Sequence, residues 1–174
     1  MTAMDVDIAI KSEQWAAHPE LGPFLAHAAR KTVEIARLKT EPDAELSIVL
    51  AGDDLVRGLN RTYLGRDSAT NVLSFPQGSA IAGGARHLLG DIALAYETVA
   101  REAAAANKPL PHHAVHLVVH GLLHLFGYDH DSNARATEME DVERAVLEAL
   151  AIPDPYAEDE VQSEPATPAP ATSS

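Results

Sequence analysis

The chain has no cysteine among its 174 residues. That absence excludes disulfide frameworks, thiolate zinc fingers, CxxC redox chemistry and cysteine nucleophiles together, so any metal site must be built from histidine and carboxylate. Basic residues are scarce as well: 13 Lys and Arg stand against 26 Asp and Glu, a formal charge of −13. As a sum, this argues against a nucleic-acid binder, whose usual mark is a net basic surface. Long hydrophobic runs are also missing. The most apolar stretch, Ala114 to Phe126, is too short to span a bilayer and is punctuated by histidines. The opening M-T-A-M-D-V-D-I-A-I carries acids where a secretory signal would carry bases. The expectation is a cytoplasmic protein without membrane association.

What is present is enough for one domain with a substantial core. Alternation and branched residues predict strands over 5–10, 46–50, 71–75 (stopped by Pro76) and 88–95. Helical spacing predicts helices over 21–38, 53–64, 97–107, 113–126 and 133–151, with Asp53 capping the second of these. The Gly-rich segment 78–84 reads as a loop; A-G-G-A-R (82–86) lacks the G-K-[ST] of a phosphate loop. Strands alternating with helices, then a run of helices, predict an α/β (α+β) single domain. Its expected architecture is a small mixed four-stranded sheet flanked by helices, with the histidine-bearing helix in the core. Residues 1–152 are read as this domain. Residues 153–174 are read as an acidic, Pro/Ala/Ser/Thr-rich tail with almost nothing to bury, expected to be disordered.

Six of the nine histidines fall between residues 112 and 130. In the helix over 113–126, His113, His116, His120 and His124 form one stripe on an otherwise apolar cylinder. Imidazoles on a buried helix need partners. His120 and His124 are one turn apart, the spacing that lets two rings meet on one ion. His116 lies roughly 12 Å along the axis from His124, too far to join them. Gly127 can take the left-handed conformation that ends a helix and turn the chain back, which brings His130 to the same ion. The pattern H-x₃-H-x₅-H matches the ligand spacing of the extended zinc-protease signature, but Gly121 stands where that signature has its water-activating glutamate. A structural zinc normally closes with four protein ligands. Asp129 or a neighbouring carboxylate could serve as the fourth, Asp129 reading equally as a cap for the turn or for the next helix; an open fourth position holding water is the favoured reading, and that means catalysis. His112 and His113, at the helix start, read as surface residues.

The run H-G-L-L-H-L-F-G-Y-D-H (His120 to His130) resembles the signature of the YbeY family of bacterial endoribonucleases and rRNA maturation factors. T-N-V-L-S-F-P (Thr70 to Pro76), L-G-D-I (Leu89 to Ile92), the segment Leu59 to Gly65 and D-P-Y (Asp154 to Tyr156) match further landmarks of that family in the same order. The resemblance implies a zinc-dependent single-strand endoribonuclease with one Zn²⁺ per chain on His120, His124 and His130. It implies action on ribosomal RNA, at the 16S 3′ end and in ribosome quality control, with the small ribosomal subunit, its proteins and the Era GTPase as partners. The family's arginine falls at Leu64 here, so Arg61 and Arg66 are the candidates to replace it. Asp91 is read either as orienting a ligand imidazole or as a turn carboxylate. His116 is read as a proton shuttle, a partner behind the ligands, or a core hydrogen-bonding residue. The competing classes are a non-catalytic ribosome-assembly factor with a structural zinc, and a zinc peptidase or amidase, against which Gly121 counts.

The charge is unevenly placed. Residues 128–174 hold twelve acids and two bases, a net of −10, leaving −3 for residues 1–127. Leu55 to Arg66 contains Arg57, Arg61 and Arg66 and no acid, which reads as an RNA- or phosphate-contacting edge or as an ordinary solvated helix face.

Overall fold

A computed structural model describes residues 4–41, 43–76 and 88–156. The predicted loop over 78–84 and the tail beyond residue 156 lie outside the described residues. The elements are β1 (Asp5–Ile10), a 3₁₀ turn (Glu13–Ala17), α1 (Leu21–Ala36), β2 (Glu45–Ala51), α2 (Asp53–Leu64), β3 (Val72–Pro76), β4 (Leu88–Ala95), α3 (Tyr96–Ala105), α4 (Leu110–Leu125) and α5 (Asn133–Ala149). The four strands form one mixed sheet in the order β1-β2-β4-β3. β1, β2 and β4 run parallel, and β3 pairs antiparallel with β4 at one edge.

Strand alternation gives the sheet two apolar faces. Leu46, Ile48 and Leu50 of β2 and Ile92 and Leu94 of β4 join the large core, which they share with α1, α4 and α5. Val49, Ala51, Ala93, Ala95, Leu73 and Phe75 point to the other face, where Val56 and Leu59 of α2 cover them. The histidine helix therefore sits in the main core, as expected, with Ala114, Val115, Val118, Val119, Leu122 and Leu123 fully buried. It begins at Leu110, earlier than the predicted His113, because Pro111 falls in the first turn, where no backbone N–H is required.

Two local expectations change. Asp53 does not cap its own helix: its Oδ1 accepts from the N–H (3.2 Å) and hydroxyl (2.9 Å) of Thr98 at the start of α3. In return, Glu97 Oε1 accepts the Asp53 N–H at 2.8 Å. Each helix is thus capped by an acid of the other, because both start at the same end of the adjacent parallel strands β2 and β4. The 3₁₀ turn was not predicted; it buries Trp15, whose indole N–H donates to the Ala51 carbonyl at 2.8 Å.

Glycine is required where α4 lies against the sheet. A Cβ on Gly90 would stand 2.3 Å from the Phe75 carbonyl oxygen and 2.9 Å from Leu125 Cδ2. One on Gly121 would stand 2.8 Å from Ser74 Oγ and 3.2 Å from Ile92 Cγ2. Ser74 Oγ itself donates to the Gly121 carbonyl at 3.1 Å, fastening the middle of α4 to the edge strand.

Candidate metal centre

Along α4, His116, His120 and His124 succeed one another at four-residue spacing on the side away from the most buried residues. The helix ends in the way Gly127 predicts. That residue takes φ 94°, and the N–H groups of Tyr128 and Gly127 donate back to the carbonyls of Leu123 and His124, both at 3.0 Å. This paired closure is the glycine-terminated helix end that satisfies the last carbonyls while reversing the chain. Asp129 Oδ1 accepts the His130 N–H at 2.7 Å, and Arg135 of α5 donates to the Gly127 carbonyl at 3.0 Å. The reversed turn is thus held from both sides, and it carries His130 back over the end of the helix.

One ring nitrogen from each of His120, His124 and His130 lies within 4.8 Å of the other two. His120 Nε2 and His124 Nε2 are 3.1 Å apart. A tetrahedral zinc with Zn–N of ~2.0–2.1 Å requires ligand nitrogens about 3.4 Å apart, so the three atoms already stand at the scale of one coordination sphere. Their chemistry fits as well. Burial, and then the neighbouring imidazoles of His120 and His130, push His124 below the ordinary histidine pKa, which favours the neutral ring a metal needs. Among the described residues no carboxylate joins this cluster, and Asp129 serves the turn. His130 is exposed, so the cluster opens to solvent on that side.

Behind the cluster lies a residue that the sequence reading missed. Glu143 of α5 is completely buried, with Oε2 2.7 Å from His120 Nδ1 and Oε1 2.9 Å from His116 Nε2. The Tyr156 hydroxyl also donates to Oε1. Burial pushes the Glu143 carboxyl up, but the hydrogen bonds from His116, His120 and Tyr156 outweigh it and hold the group down at about 2. Burial, and then the adjacent Glu143, raise the Tyr156 phenol, which stays a neutral donor. An ionised carboxylate only accepts, so His120 must donate from Nδ1 and present the lone pair of Nε2 toward His124. A signal for Glu143 exists in the sequence. It stands on the stripe Met139, Glu143, Val146, Leu147, an acid where the helix period calls for an apolar residue. Tyr156 is the working part of the D-P-Y landmark, and residues 153–156, expected in the tail, return to α5. There Arg144 bonds Asp154 at 3.2 Å and stacks over the Tyr156 ring at 5.1 Å.

The other predicted site residues are placed elsewhere. Asp91 pairs with Ser47 and Phe75 on the face of the sheet covered by α2, while its neighbour Ile92 faces Gly121. It cannot orient a ligand imidazole; the alternation of the strand puts the sheet between them. Arg57, Arg61 and Arg66 belong to α2 and the turn after it, again across the sheet from α4. Arg57 makes a two-pronged bond to Asp67 (2.8 and 3.1 Å), which holds the Asp67 carboxyl below its ordinary pKa, and Arg61 approaches the same carboxylate at 3.5 Å. Leu64, at the position of the family's arginine, is exposed beside Tyr63. His116 is not free to shuttle protons from Nε2, since Glu143 occupies that atom. His113 is not a surface residue: it is largely buried, and its Nε2 bonds Glu102 at 2.9 Å.

A family model described as endoribonuclease YbeY matches residues 10–151. Proteins named endoribonuclease YbeY from Rhodopseudomonas palustris and Methylocella silvestris are 46% and 44% identical over 153 residues each. These alignments span 87% and 88% of this chain and 80% and 86% of theirs. One from Chelativorans is 45% identical over 157 residues, spanning 89% of this chain and 94% of its own. A Thermotoga maritima protein solved in solution shares the fold at 21% identity, with a TM-score of 0.51 over 95% of this chain and 99% of its own.

Proposed function

Since this chain belongs to the endoribonuclease YbeY family, we propose that it is a zinc-dependent enzyme that cleaves single-stranded RNA in the maturation of the 16S rRNA 3′ end and in ribosome quality control. His120, His124 and His130 hold one Zn²⁺ per chain, and the small ribosomal subunit and the Era GTPase are its partners, in the cytoplasm. No described helix is long and apolar enough to cross a membrane. The observation that carries the reading is the cluster of three imidazole nitrogens within 4.8 Å, open on the His130 side.

A zinc ion held there supplies Lewis acidity toward a phosphoryl oxygen and activation of water near neutral pH. The chain's own residues set the conditions. His120 and His124 are fixed on a helix packed to the sheet, which keeps two ligands rigid, while the turn held by Gly127, Asp129 and Arg135 positions the third. Position 121 offers no carboxylate as a base, and its carbonyl is bonded to Ser74. The edge strand β3 lies beside the helix at this point, so a single strand of RNA meets a sheet edge next to the ligands.

The arginines then contribute at a distance. Arg61 and Arg66 add general attraction for the backbone around the β3 edge and do not act at the scissile phosphate. Replacing both by alanine is expected to raise KM and to flatten its dependence on salt, since each lost phosphate contact removes a released counterion, while kcat stays near wild type. Steady-state kinetics at three salt concentrations reads this out; a large fall in kcat would place them at the reacting group instead.

The proposal as a whole is tested with purified protein on a single-stranded RNA carrying the 16S 3′ end. Cleavage is expected to disappear on exhaustive chelation and to return with one equivalent of zinc. Cleavage that survives chelation, with zinc removal verified by elemental analysis, would reject it.

A further inference from the structure

Glu143 is 23 residues from His120 in sequence and 13 from Tyr156, yet it receives both of them and His116, which is 27 residues away. All three donors fall on the two oxygens of one carboxylate with no exposed surface. From this geometry we infer that Glu143, held in place by Tyr156 and His116, is the positioning residue for the metal centre: it fixes His120 in the Nδ1–H form and sets how tightly the ion is held. The inference rests on the reading of His120, His124 and His130 as ligands, and goes beyond it by assigning the binding strength to a second layer on two other segments.

The argument follows from what each atom can do. A carboxylate has no proton to give, so the 2.7 Å bond requires His120 to donate from Nδ1. The only lone pair left on that ring is on Nε2, the atom 3.1 Å from His124 Nε2. A carboxylate on the far nitrogen also makes the ring a stronger electron donor and stops it turning. Oε1 is tied down separately by His116 and Tyr156, so the carboxylate cannot swing away to solvate itself or to take the ion. Tyr156 is fixed in turn. Arg144, the residue after Glu143, lies over its ring and pairs with Asp154, and the Asp154 carboxylate accepts the Tyr156 N–H at 2.8 Å. The D-P-Y turn is thereby a strut from the end of the domain to the ligand shell.

Zinc affinity by competition with a chromophoric chelator, and the His120 tautomer by ¹⁵N NMR of the metal-free protein, test this together. In the wild type, His120 is expected as the Nδ1–H form. Glu143→Gln keeps the shape and removes the charge; its zinc dissociation constant is expected to rise ~10- to 100-fold. Tyr156→Phe removes one of the three donors and is expected to weaken zinc roughly 2- to 10-fold, with His120 still in the Nδ1–H form. Should Glu143→Gln not fold, Tyr156→Phe, which touches no ligand, carries the affinity test alone. Wild-type affinity in the folded variants, or an Nε2–H His120 in the wild type, would overturn the inference. Failure of the wild type to bind zinc at all would reject the ligand assignment instead, and the tautomer of the metal-free protein separates the two outcomes.

Discussion

Alanine at His120, His124 or His130 is expected to leave a folded protein that no longer holds zinc stoichiometrically and cleaves RNA at least ~10³-fold more slowly. The size follows from the chemistry: the Lewis acidity of a bound ion is worth several kcal/mol of transition-state stabilisation, and each 1.36 kcal/mol is a factor of ten in rate. Folding should persist because the three rings lie at the margin of the core, half-buried or exposed, while the opposite side of α4 supplies the packing. The three variants should not be equivalent in stability. Among the described residues, His124→Ala and His130→Ala take no partner from a fully buried group, the His124 ring bonding the backbone of half-buried Tyr128. His120→Ala takes a donor from the fully buried Glu143 carboxylate, which costs an additional ~1–3 kcal/mol. Elemental analysis, urea denaturation of the metal-free proteins and single-turnover cleavage measure the three quantities separately. Stoichiometric zinc in all three variants would refute the ligand assignment.

Restoring the protease glutamate, Gly121→Glu, is expected to unfold the chain and not to create a peptidase. A Cβ at this position already meets Ser74 Oγ at 2.8 Å and Ile92 Cγ2 at 3.2 Å. Overpacking of that kind costs about 1–3 kcal/mol, and placing an ionised carboxylate against the buried Ile92 adds several more unless it is paired. Together these approach the whole stability of an ordinary domain, about 5–15 kcal/mol. Gly121→Ala, the control, should lose only the packing part, melt several degrees lower and keep its zinc and its cleavage of RNA. Circular dichroism and a chelator-controlled peptide assay decide the matter; a folded Gly121→Glu protein with metal-dependent peptidase activity would show that the helix can stand off the sheet.

The close approach of α4 to the sheet counts against the peptidase reading in three dimensions, as Gly121 does in one. The missing glutamate is visible in the sequence, but the reason it is missing is the distance between α4 and the sheet. Gly90 tells the same story from the sheet side, where a side chain would strike the Phe75 carbonyl and Leu125. Two family landmarks, L-G-D-I and the glycine after His120, are thus marks of one close contact.

The sequence by itself determined the convergence of His120, His124 and His130, because its geometry is local. Four-residue spacing on a helix aligns His120 and His124, and Gly127 can reverse the chain within three residues of His130, so no distant part of the protein is needed to predict the convergence. It determined the strands and most helices for the same reason, since period and end signals are read within a few residues. Only the tertiary structure decided what surrounds these three histidines. The sheet order β1-β2-β4-β3 and the packing of α4 chose the face on which Asp91 falls, and sent the arginines of α2 to the far side. Glu143 and Tyr156 reach the site from a later helix and the turn beyond it, through contacts 13 to 40 residues apart in sequence. A lone acid in an apolar stripe signals that a buried partner exists; which histidines supply it depends on how α5 crosses α4, and that is settled by the packing of the whole core.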